Sequence, residues 1–330
     1  MILLCFGTRP EWLKIRPLVK LMNREEYRLL FTGQHTDLLK DIQVDYKIKI
    51  QDNENRLDQL ISDCLLQFPE GEFNSILVQG DTASAFACAV AAFNRRLKIF
   101  YLEAGLRSYN LAHPYPEEAY RQMIARIADV NFAPTEISAV NLANEKVSGK
   151  VFVTGNTVLD NLLPYKELCE YSNKVLVTLH RRENHSALEE WFNELEKLAS
   201  ENLDLEFILP IHPNPNVQKH KHLLRKVKVV DPLNHEDLLQ LLVKCRLVIS
   251  DSGGLQEEGS FFNKKVIVCR TVTERPEAIE TGHLHLCKEP SDLKKLFDDL
   301  KLNYYINSTC PYGDGISAQR VLTHIRNERF

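Results

Sequence analysis

The 330-residue sequence has no long hydrophobic run, no paired cysteine motif and no block of basic residues. Its longest apolar stretch, SAFACAVAAF, is much shorter than the roughly 18 residues needed to cross a bilayer, so we expect no membrane span. The opening MILLCFGTRP lacks the charged region and the cleavage site of a secretory leader. Because the net charge is −4, we also expect no non-specific binding of nucleic acid.

The eight cysteines include no C-x-x-C pair, and most of them lie inside apolar runs. In a chain of this length without a leader, this pattern predicts buried free thiols and a reducing compartment such as the cytoplasm. His220-Lys221-His222 and His283-Leu284-His285 have no cysteine or carboxylate set nearby at ligand spacing, so we expect no metal site.

Short apolar runs alternate with amphipathic stretches, and this alternation predicts parallel sheets covered by helices. The first runs are ILLCF, YRLLFTG, SILVQG, KIFYLEAG and VNFAP. Past residue 160 the rhythm restarts with KVLVTLH, LEFILPIH, VKVVDP, CRLVISDSGG and KVIVCRT. The two series predict two doubly wound α/β domains that join near VTGNTVLDNLLPY. We expect the ligand in the cleft between them, outside the carboxyl ends of the strands.

Two cations follow the first apolar run. Arg9 and Lys14 stand beside Gly7, and an anion site explains them about as well as a solvated surface does. The glycine pattern is not G-x-G-x-x-G, so the sequence does not indicate a nicotinamide cofactor.

Acidic residues follow two neighbouring runs and the loop beyond them. Asp81 comes after SILVQG, where an aspartate also commonly caps a helix, and Glu103 comes directly after the next run. Glu117 or Glu118 follows the loop YNLAHPYP. Clustered carboxylates raise one another's pKa, so the set favours proton transfer over three separate structural roles.

The second half carries cations, histidines and a glycine turn at its strand ends. These are His180, Arg181, Arg182, His212, the turn Ser252-Gly253-Gly254, and Arg275. A strand, a glycine turn and a helix N-terminus commonly hold a phosphate. Basic groups on one side and carboxylates on the other match a nucleotide sugar with a carbon to be deprotonated.

A series of motifs resembles the non-hydrolysing UDP-N-acetylglucosamine 2-epimerases, in the same order. The motifs are GTRPEWLKIRP, TGQH, GDTASA, EAGLRS, PYPEEAYRQ, FAPTEISAVNL, VTGNTVLD, HRREN, HPNPNV, DSGGLQEE, TERPEA and PYGDG. The resemblance runs from residue 4 to about residue 322, nearly the whole chain. Any one of these motifs alone would be weak evidence.

The resemblance implies a GT-B fold, in which two Rossmann-like doubly wound parallel-sheet domains enclose the active site in their cleft. Its final helix would cross back onto the first domain. The implied domains are residues 1–157 with 312–330, and residues 158–311. The family also implies a homodimer.

The implied reaction inverts C2 of the sugar in UDP-N-acetylglucosamine. A base removes the C2 proton while UDP leaves C1, and the 2-acetamidoglucal and UDP then recombine with the proton on the other face. No cofactor is needed, and the expected partner is the UDP-sugar substrate.

Carried over by motif, the catalytic residues would be Asp81, Glu103, Glu117 and His180. Which carboxylate is the acid and which is the base stays open. The substrate-binding residues would be Arg9, Lys14, Arg107, Arg121, Arg182, His212, Ser252, Gly253, Gly254, Glu258 and Arg275. Within this set Ser252 to Gly254 would hold the diphosphate and Glu258 the ribose, whereas Glu257 is interpreted as a packing or surface residue.

The chain departs from the family pattern in places. Gln34 and His35 are retained as a possible remnant of an allosteric site, but Asp37 and Asp63 add negative charge there, so we expect weak or absent substrate activation. The segment before VLVTLHRREN is shorter than usual. His185 and Ser186 follow HRREN in place of the usual glycine, which leaves the accepted hexosamine open.

Three alternatives remain at this stage. The first stays within the superfamily: a C2-epimerase of a UDP-6-deoxy-N-acetyl-L-hexosamine, or a hydrolysing enzyme that releases N-acetylmannosamine. The second is a GT-B glycosyltransferase, which would share the donor site but would not need three clustered carboxylates. The third is a nucleotide-sugar binder that has lost catalysis.

Overall fold

The protein, described by a computed structural model over residues 1–34, 42–273 and 275–328, forms two compact units. Unit 1 comprises residues 1–161 and 313–330, and unit 2 comprises residues 162–312. Each unit is built on one parallel sheet, which confirms the predicted α/β class. Within the described ranges, no helix is both long and apolar enough to span a membrane.

The sheet of unit 1 has seven strands in the order β3-β2-β1-β4-β5-β6-β7. They are β1 (Ile2–Phe6), β2 (Tyr27–Phe31), β3 (Tyr46–Lys47), β4 (Ser75–Gln79), β5 (Lys98–Leu102), β6 (Val130–Ala133) and β7 (Lys150–Val153). β1, β4, β5 and β6 are buried along almost their whole length, as expected for central strands covered on both faces.

Within the described part of unit 1, five helices lie between these strands in the chain. They are α1 (Arg9–Leu21), α2 (Arg56–Leu66), α3 (Ala83–Asn94), α4 (Glu117–Ile127) and α5 (Glu136–Asn144). Apolar residues of α2 to α5 pack in one core, whereas α1 contributes Ile15 and Leu18 to a second core. α3 is rich in alanine and nearly all buried, which agrees with its prediction as a buried helix.

The sheet of unit 2 has six strands in the order β10-β9-β8-β11-β12-β13. They are β8 (Lys174–Thr178), β9 (Glu206–Pro210), β10 (Lys228–Val230), β11 (Leu247–Ser250), β12 (Lys265–Cys269) and β13 (Leu284–Cys287). The helices are α6 (Leu188–Glu201), α7 (Pro215–Gln218), α8 (His235–Lys244), α9 (Gly253–Phe261), α10 (Pro276–Glu280) and α11 (Leu293–Leu302).

The last helix, α12 (Ser317–Asn327), follows unit 2 in the chain but belongs to unit 1. Its buried residues Val321 and Leu322 join the same core as α1. The Asp160 carboxylate accepts the backbone N–H groups of Ser317 at 3.1 Å and Ala318 at 2.7 Å, which satisfies donors at the start of the helix.

Both sheets reverse their strand order at one point, between β1 and β4 in unit 1 and between β8 and β11 in unit 2. At such a switch point the two following loops diverge to opposite faces of the sheet and leave a crevice at the carboxyl edge. The loops after these four strands therefore form the expected ligand-binding edge of each unit.

His283, directly before β13, makes the stability of unit 2 depend on pH. Its side chain is fully buried, and burial, with a smaller contribution from the charge of His285, lowers its pKa to about 4. The folded state thus favours the neutral imidazole, so its contribution to stability is present above pH 6.5 and is lost as pH falls towards 4.

We expect this group to make the free energy of unfolding about 2 kcal/mol smaller at pH 5 than at pH 7. Urea unfolding of wild type and His283→Leu at both pH values measures this. The variant should lose that part of the pH dependence, although it is less stable at pH 7. Equal pH dependence in both proteins would contradict the assignment.

Candidate active site

The loop after β1 is organised by a buried glutamate. The Glu11 carboxylate accepts the N–H groups of Gly7 at 2.9 Å and Thr8 at 2.7 Å, and the Thr8 hydroxyl at 2.7 Å. Thr8 is the N-cap of α1, so the pair forms a capping box. Arg9, the first residue of the helix, is exposed.

Glu11 also contacts the loop after β4. Its second oxygen accepts the hydroxyl of Thr82 at 2.6 Å, and Glu11 itself is only 1% exposed. Burial raises the pKa of the Glu11 carboxyl, although these hydrogen bonds oppose the effect. Glu11 therefore joins the loops at the two sides of the switch point in unit 1.

Asp81 is an ion-pair partner rather than the cap of α3. Thr82 is the N-cap, since its hydroxyl accepts the N–H of Ala85 at 3.1 Å. The Asp81 carboxylate accepts a hydrogen bond from Nε of Arg121 at 2.7 Å. Nη1 of the same arginine lies 3.4 Å from the Glu118 carboxylate. Arg121 of α4 thus holds the Asp81 side chain at the carboxyl edge.

Glu103 has a left-handed backbone conformation, with φ +65°. Such a conformation costs a glutamate on the order of 1–3 kcal/mol and is common at functional sites. The Glu103 carboxylate accepts hydrogen bonds from Lys14 and from the amide of Gln79, and the residue is 9% exposed. A Cβ added to Gly80 would lie 3.8 Å from Glu103 Oε2, so the Asp81 loop runs directly beside this carboxylate.

The two adjacent glutamates of α4 have different environments. Glu118 is fully buried and accepts the N–H groups of Ser108 at 3.0 Å and Tyr109 at 3.2 Å. Burial raises the pKa of Glu118, but these bonds, Gln122 and Arg121 outweigh it, so the pKa lies below its ordinary value.

Glu117 is the first residue of α4 and is partly exposed. No hydrogen bond or ion pair of its side chain is found among the residues that the structure describes. Of the two glutamates, Glu117 is the one whose carboxylate is not already committed to holding a loop.

Two other residues in unit 1 predicted to be functional make internal contacts. The buried Arg107 side chain forms a two-point ion pair with Glu145, with Nε–Oε1 2.6 Å and Nη2–Oε2 2.9 Å. Gln34 Oε1 accepts the hydroxyl of Ser84 at 2.7 Å, at the start of α3. His35 and Asp37 lie outside the described residues.

Asp63, predicted to add charge near the possible allosteric remnant, is 1% exposed. Its carboxylate accepts the Gln51 N–H at 2.8 Å and a second bond from Gln67 at 3.3 Å. It therefore fixes local backbone, and its effect on substrate activation stays a prediction.

In unit 2 the buried Asp251, directly after β11, organises the loop after β8. Its Oδ2 accepts the N–H groups of His180 and Arg181, both at 2.9 Å, and the Asn184 amide at 3.0 Å. Its Oδ1 lies 3.6 Å from His180 Nδ1. Asp251 belongs to the motif DSGGLQEE, but the motif alone predicted no role for it.

His180 stacks on His212, with ring centroids 5.0 Å apart and an angle of 11° between the planes. Burial lowers the pKa of His180, and Asp251 partly opposes this while His212 adds to it. The two predicted histidines thus meet at the carboxyl edge, in an arrangement that favours a neutral His180 ring. Arg182, from the same loop, is exposed.

The start of α9 is surrounded by guanidinium groups. A Cβ added to Gly253 would lie 3.3 Å from Nη1 of Arg275 and 3.5 Å from Nη2 of Arg181. Ser252 is the N-cap, and its N–H donates to Ser250 at 2.9 Å, whereas Gly254 is exposed. Two cations beside a helix N-terminus are an arrangement that favours a negatively charged group.

Glu257 is the residue that fixes one of these cations. Its Oε1 accepts hydrogen bonds from Nε of Arg275, at 2.9 Å, and from Nη2 of the same side chain, at 2.7 Å. Glu257 is thus buried, as expected of a packing residue, but this ion pair was not predicted from the sequence. Its side chain is 8% exposed and holds Arg275 against Gly253.

Glu258, one residue further, has a different partner. Its Oε1 lies 2.9 Å from Nε2 of His235, the first residue of α8, and Glu258 is 7% exposed. Its role towards a ribose stays a prediction. Over the described parts of the chain, no group of three or more His, Cys, Asp or Glu side chains could hold a metal ion.

The chain is similar to known proteins along nearly its full length. A family model described as UDP-N-acetylglucosamine 2-epimerase matches residues 20–326. The chain is 38% identical to the UDP-N-acetylglucosamine 2-epimerase of Campylobacter jejuni, with 97% of this chain and 96% of that protein covered. The identity to the enzyme of that name from Escherichia coli K12 is 33%, with coverage of 100% and 99%.

Among solved structures, the chain is similar to the UDP-GlcNAc 2-epimerase of Neisseria meningitidis bound to UDP-GlcNAc. The TM-score is 0.84 and the sequence identity is 31%, with 99% of each chain covered.

Proposed function

Because the chain belongs to the UDP-N-acetylglucosamine 2-epimerase family, we propose that it interconverts UDP-N-acetylglucosamine and UDP-N-acetylmannosamine without releasing the free sugar. The observation that carries this proposal is the pair of carboxylates at the carboxyl edge of unit 1. Asp81 and Glu103 follow adjacent strands, and each is held by a cation, Arg121 and Lys14 respectively. A glycosyl transfer alone would not require them.

In the proposed reaction, one carboxylate takes the proton from C2 while the C1–O bond to UDP breaks. The products of this step are a 2-acetamidoglucal and UDP. Return of a proton to the opposite face of C2, with re-formation of the C1–O bond, gives the epimer. Electrons balance within the substrate, so the reaction needs no external oxidant.

We assign Asp81, Glu103 and Glu117 to the proton transfers. Glu117 suits this role because its carboxylate is partly exposed, whereas Glu118 is buried and bound to the loop at Ser108.

The UDP is proposed to bind at the carboxyl edge of unit 2. Its diphosphate would lie at the start of α9, where Gly253 leaves room beside Arg181 and Arg275. His180 would contact the phosphate of the leaving group, and Glu258 would accept hydrogen bonds from the ribose. The homodimer, implied by the family resemblance, and the cytoplasmic location, predicted from the cysteine pattern, stay predictions.

Incubation with UDP-N-acetylglucosamine in D₂O tests the reaction. We expect deuterium at C2 of both epimers, with UDP still attached to the sugar. A second substrate, labelled with ¹⁸O in the bridge between C1 and the β-phosphate, tests the bond cleavage. Reversible loss of UDP should move the label into non-bridging positions of the β-phosphate.

The outcomes separate the alternatives. Free N-acetylmannosamine would indicate a hydrolysing enzyme, and deuterium incorporation without movement of ¹⁸O would contradict the elimination step. No turnover on this substrate would contradict the proposed sugar, and turnover of a 6-deoxy-N-acetyl-L-hexosamine derivative would identify the other epimerase.

A further inference from the structure

We propose that Glu11 is a positioning residue for proton transfer, which acts through Thr82 on Asp81 and does not touch the substrate. The inference rests on the proposed role of Asp81. It starts from the position of Glu11, which is 1% exposed and lies at the switch point of unit 1.

The two oxygens of Glu11 serve different loops. Oε2 accepts three hydrogen bonds from Gly7 and Thr8, whereas Oε1 accepts one from the Thr82 hydroxyl, at 2.6 Å. A helix cap alone would require only the first set. The fourth contact reaches 71 positions along the chain and ties α1 to the start of α3.

Thr82 transmits this contact to Asp81 because the two residues are adjacent in a tight turn. Gly80 has φ +72°, and Thr82 has extended backbone dihedrals before α3 begins. The Thr82 hydroxyl donates to Glu11 and accepts the Ala85 N–H at 3.1 Å, so both of its hydrogen-bonding roles are used. The turn is therefore fixed from both sides.

The position of this turn decides how Asp81 meets its neighbours. The Arg121 guanidinium lies 2.7 Å from the Asp81 carboxylate, and the backbone at Gly80 passes beside Glu103. A displacement of the turn would change the separation of two carboxylates that we assign to proton transfer. A misplacement of about 1 Å at a reacting group can cost about 100-fold in rate.

Replacement of Thr82 by valine tests the link, since it removes the hydroxyl and keeps the side-chain shape. We expect kcat to fall by about 10- to 100-fold with KM for UDP-N-acetylglucosamine changed by less than about threefold. Thr82→Ser, which restores the hydroxyl, should recover most of the rate.

Thr135→Val is the matched control for loss of a cap. Thr135 is, like Thr82, an N-cap, here of α5; it is buried and accepts the Ser138 N–H at 3.2 Å. This variant should lose stability similarly but keep kcat within about twofold of wild type. Equal rates in the two valine variants, or a Thr82→Ser variant as slow as Thr82→Val, would overturn the proposal.

Glu11→Gln probes the other end of the link. Its carbonyl can still accept from Gly7 and Thr8, but the group that faces Thr82 is then an N–H donor, so the Thr82 hydroxyl loses its acceptor. The variant should reproduce the kcat loss of Thr82→Val, and the double variant should be no slower than Thr82→Val. Additive losses would mean that Glu11 acts by another route, against the proposal.

Amide hydrogen exchange over residues 79–85 supplies a readout that needs no turnover. Exchange there should be faster in Glu11→Gln and in Thr82→Val than in wild type or Thr135→Val. If wild type turns over no UDP-sugar, the proposed function fails, whereas the positional link stands or falls by this exchange. Unchanged exchange in both variants would overturn it.

Discussion

Replacing Asp81 by asparagine should lower the rate of deuterium incorporation at C2 by about 100-fold or more. Asparagine has nearly the same shape and can still accept a hydrogen bond from Arg121, but it cannot take up a proton. The rate of C2 exchange in D₂O measures the effect directly. UDP affinity should change by less than about threefold, since the residues that we propose to bind UDP lie in unit 2.

Asp129→Asn is a suitable control for this experiment. Asp129 lies just before β6, at the amino ends of the strands and so away from the site. Its carboxylate accepts a hydrogen bond from the Ile99 N–H at 2.7 Å. The control should keep the wild-type exchange rate within about twofold. An Asp81→Asn variant of near-normal activity would remove Asp81 from the mechanism and favour a role in the ion pair alone.

Replacing Arg275 by methionine should weaken UDP binding by about 10- to 100-fold, the range expected for charge-assisted hydrogen bonds to a phosphate. The change keeps much of the side-chain volume but removes one of the two guanidinium groups beside Gly253, and it leaves Glu257 without this cation. Titration calorimetry with UDP measures the loss. Binding should also become less sensitive to salt.

Arg246→Met is the control for this variant, because it removes a cation from the amino ends of the strands in the same sheet. Arg246 directly precedes β11, and its Nε donates to the Ser172 carbonyl at 3.2 Å. UDP affinity should then stay within about twofold of wild type. Equal losses in both variants would point to net charge, and an unaffected Arg275→Met would contradict the proposed phosphate site.

Local patterns were sufficient for most of the fold. Strands such as β1, β4 and β11 are short apolar runs that end at glycine or small polar residues, and these were predicted. β3, β7 and β13 were not predicted: each is an edge strand with fewer buried positions, and β13 contains the partly exposed His285. An edge strand needs no apolar face on both sides, so its sequence carries a weaker signal.

The family resemblance is confirmed by the comparisons, but the contacts that position the site could not be predicted from residue spacing. Neighbouring residues on a helix point about 100° apart, so Glu257 was predicted to face away from the site that Glu258 faces. Its ion-pair partner, Arg275, lies 18 residues later in the chain, and the helix geometry alone does not indicate that contact. Arg107 and Glu145 are 38 residues apart. Such pairings depend on which strands become neighbours, and local periodicity carries no information on that.

The order in which the ribosome makes the chain matters for unit 1, because α12 comes last. Val321 and Leu322 complete the core that begins with Ile2 and Leu4, so this core stays open until α12 has left the exit tunnel. Unit 2 is continuous in sequence and has all of its residues once Tyr312 has emerged. The nascent protein must therefore keep an unfinished apolar face protected while its second half is already able to fold.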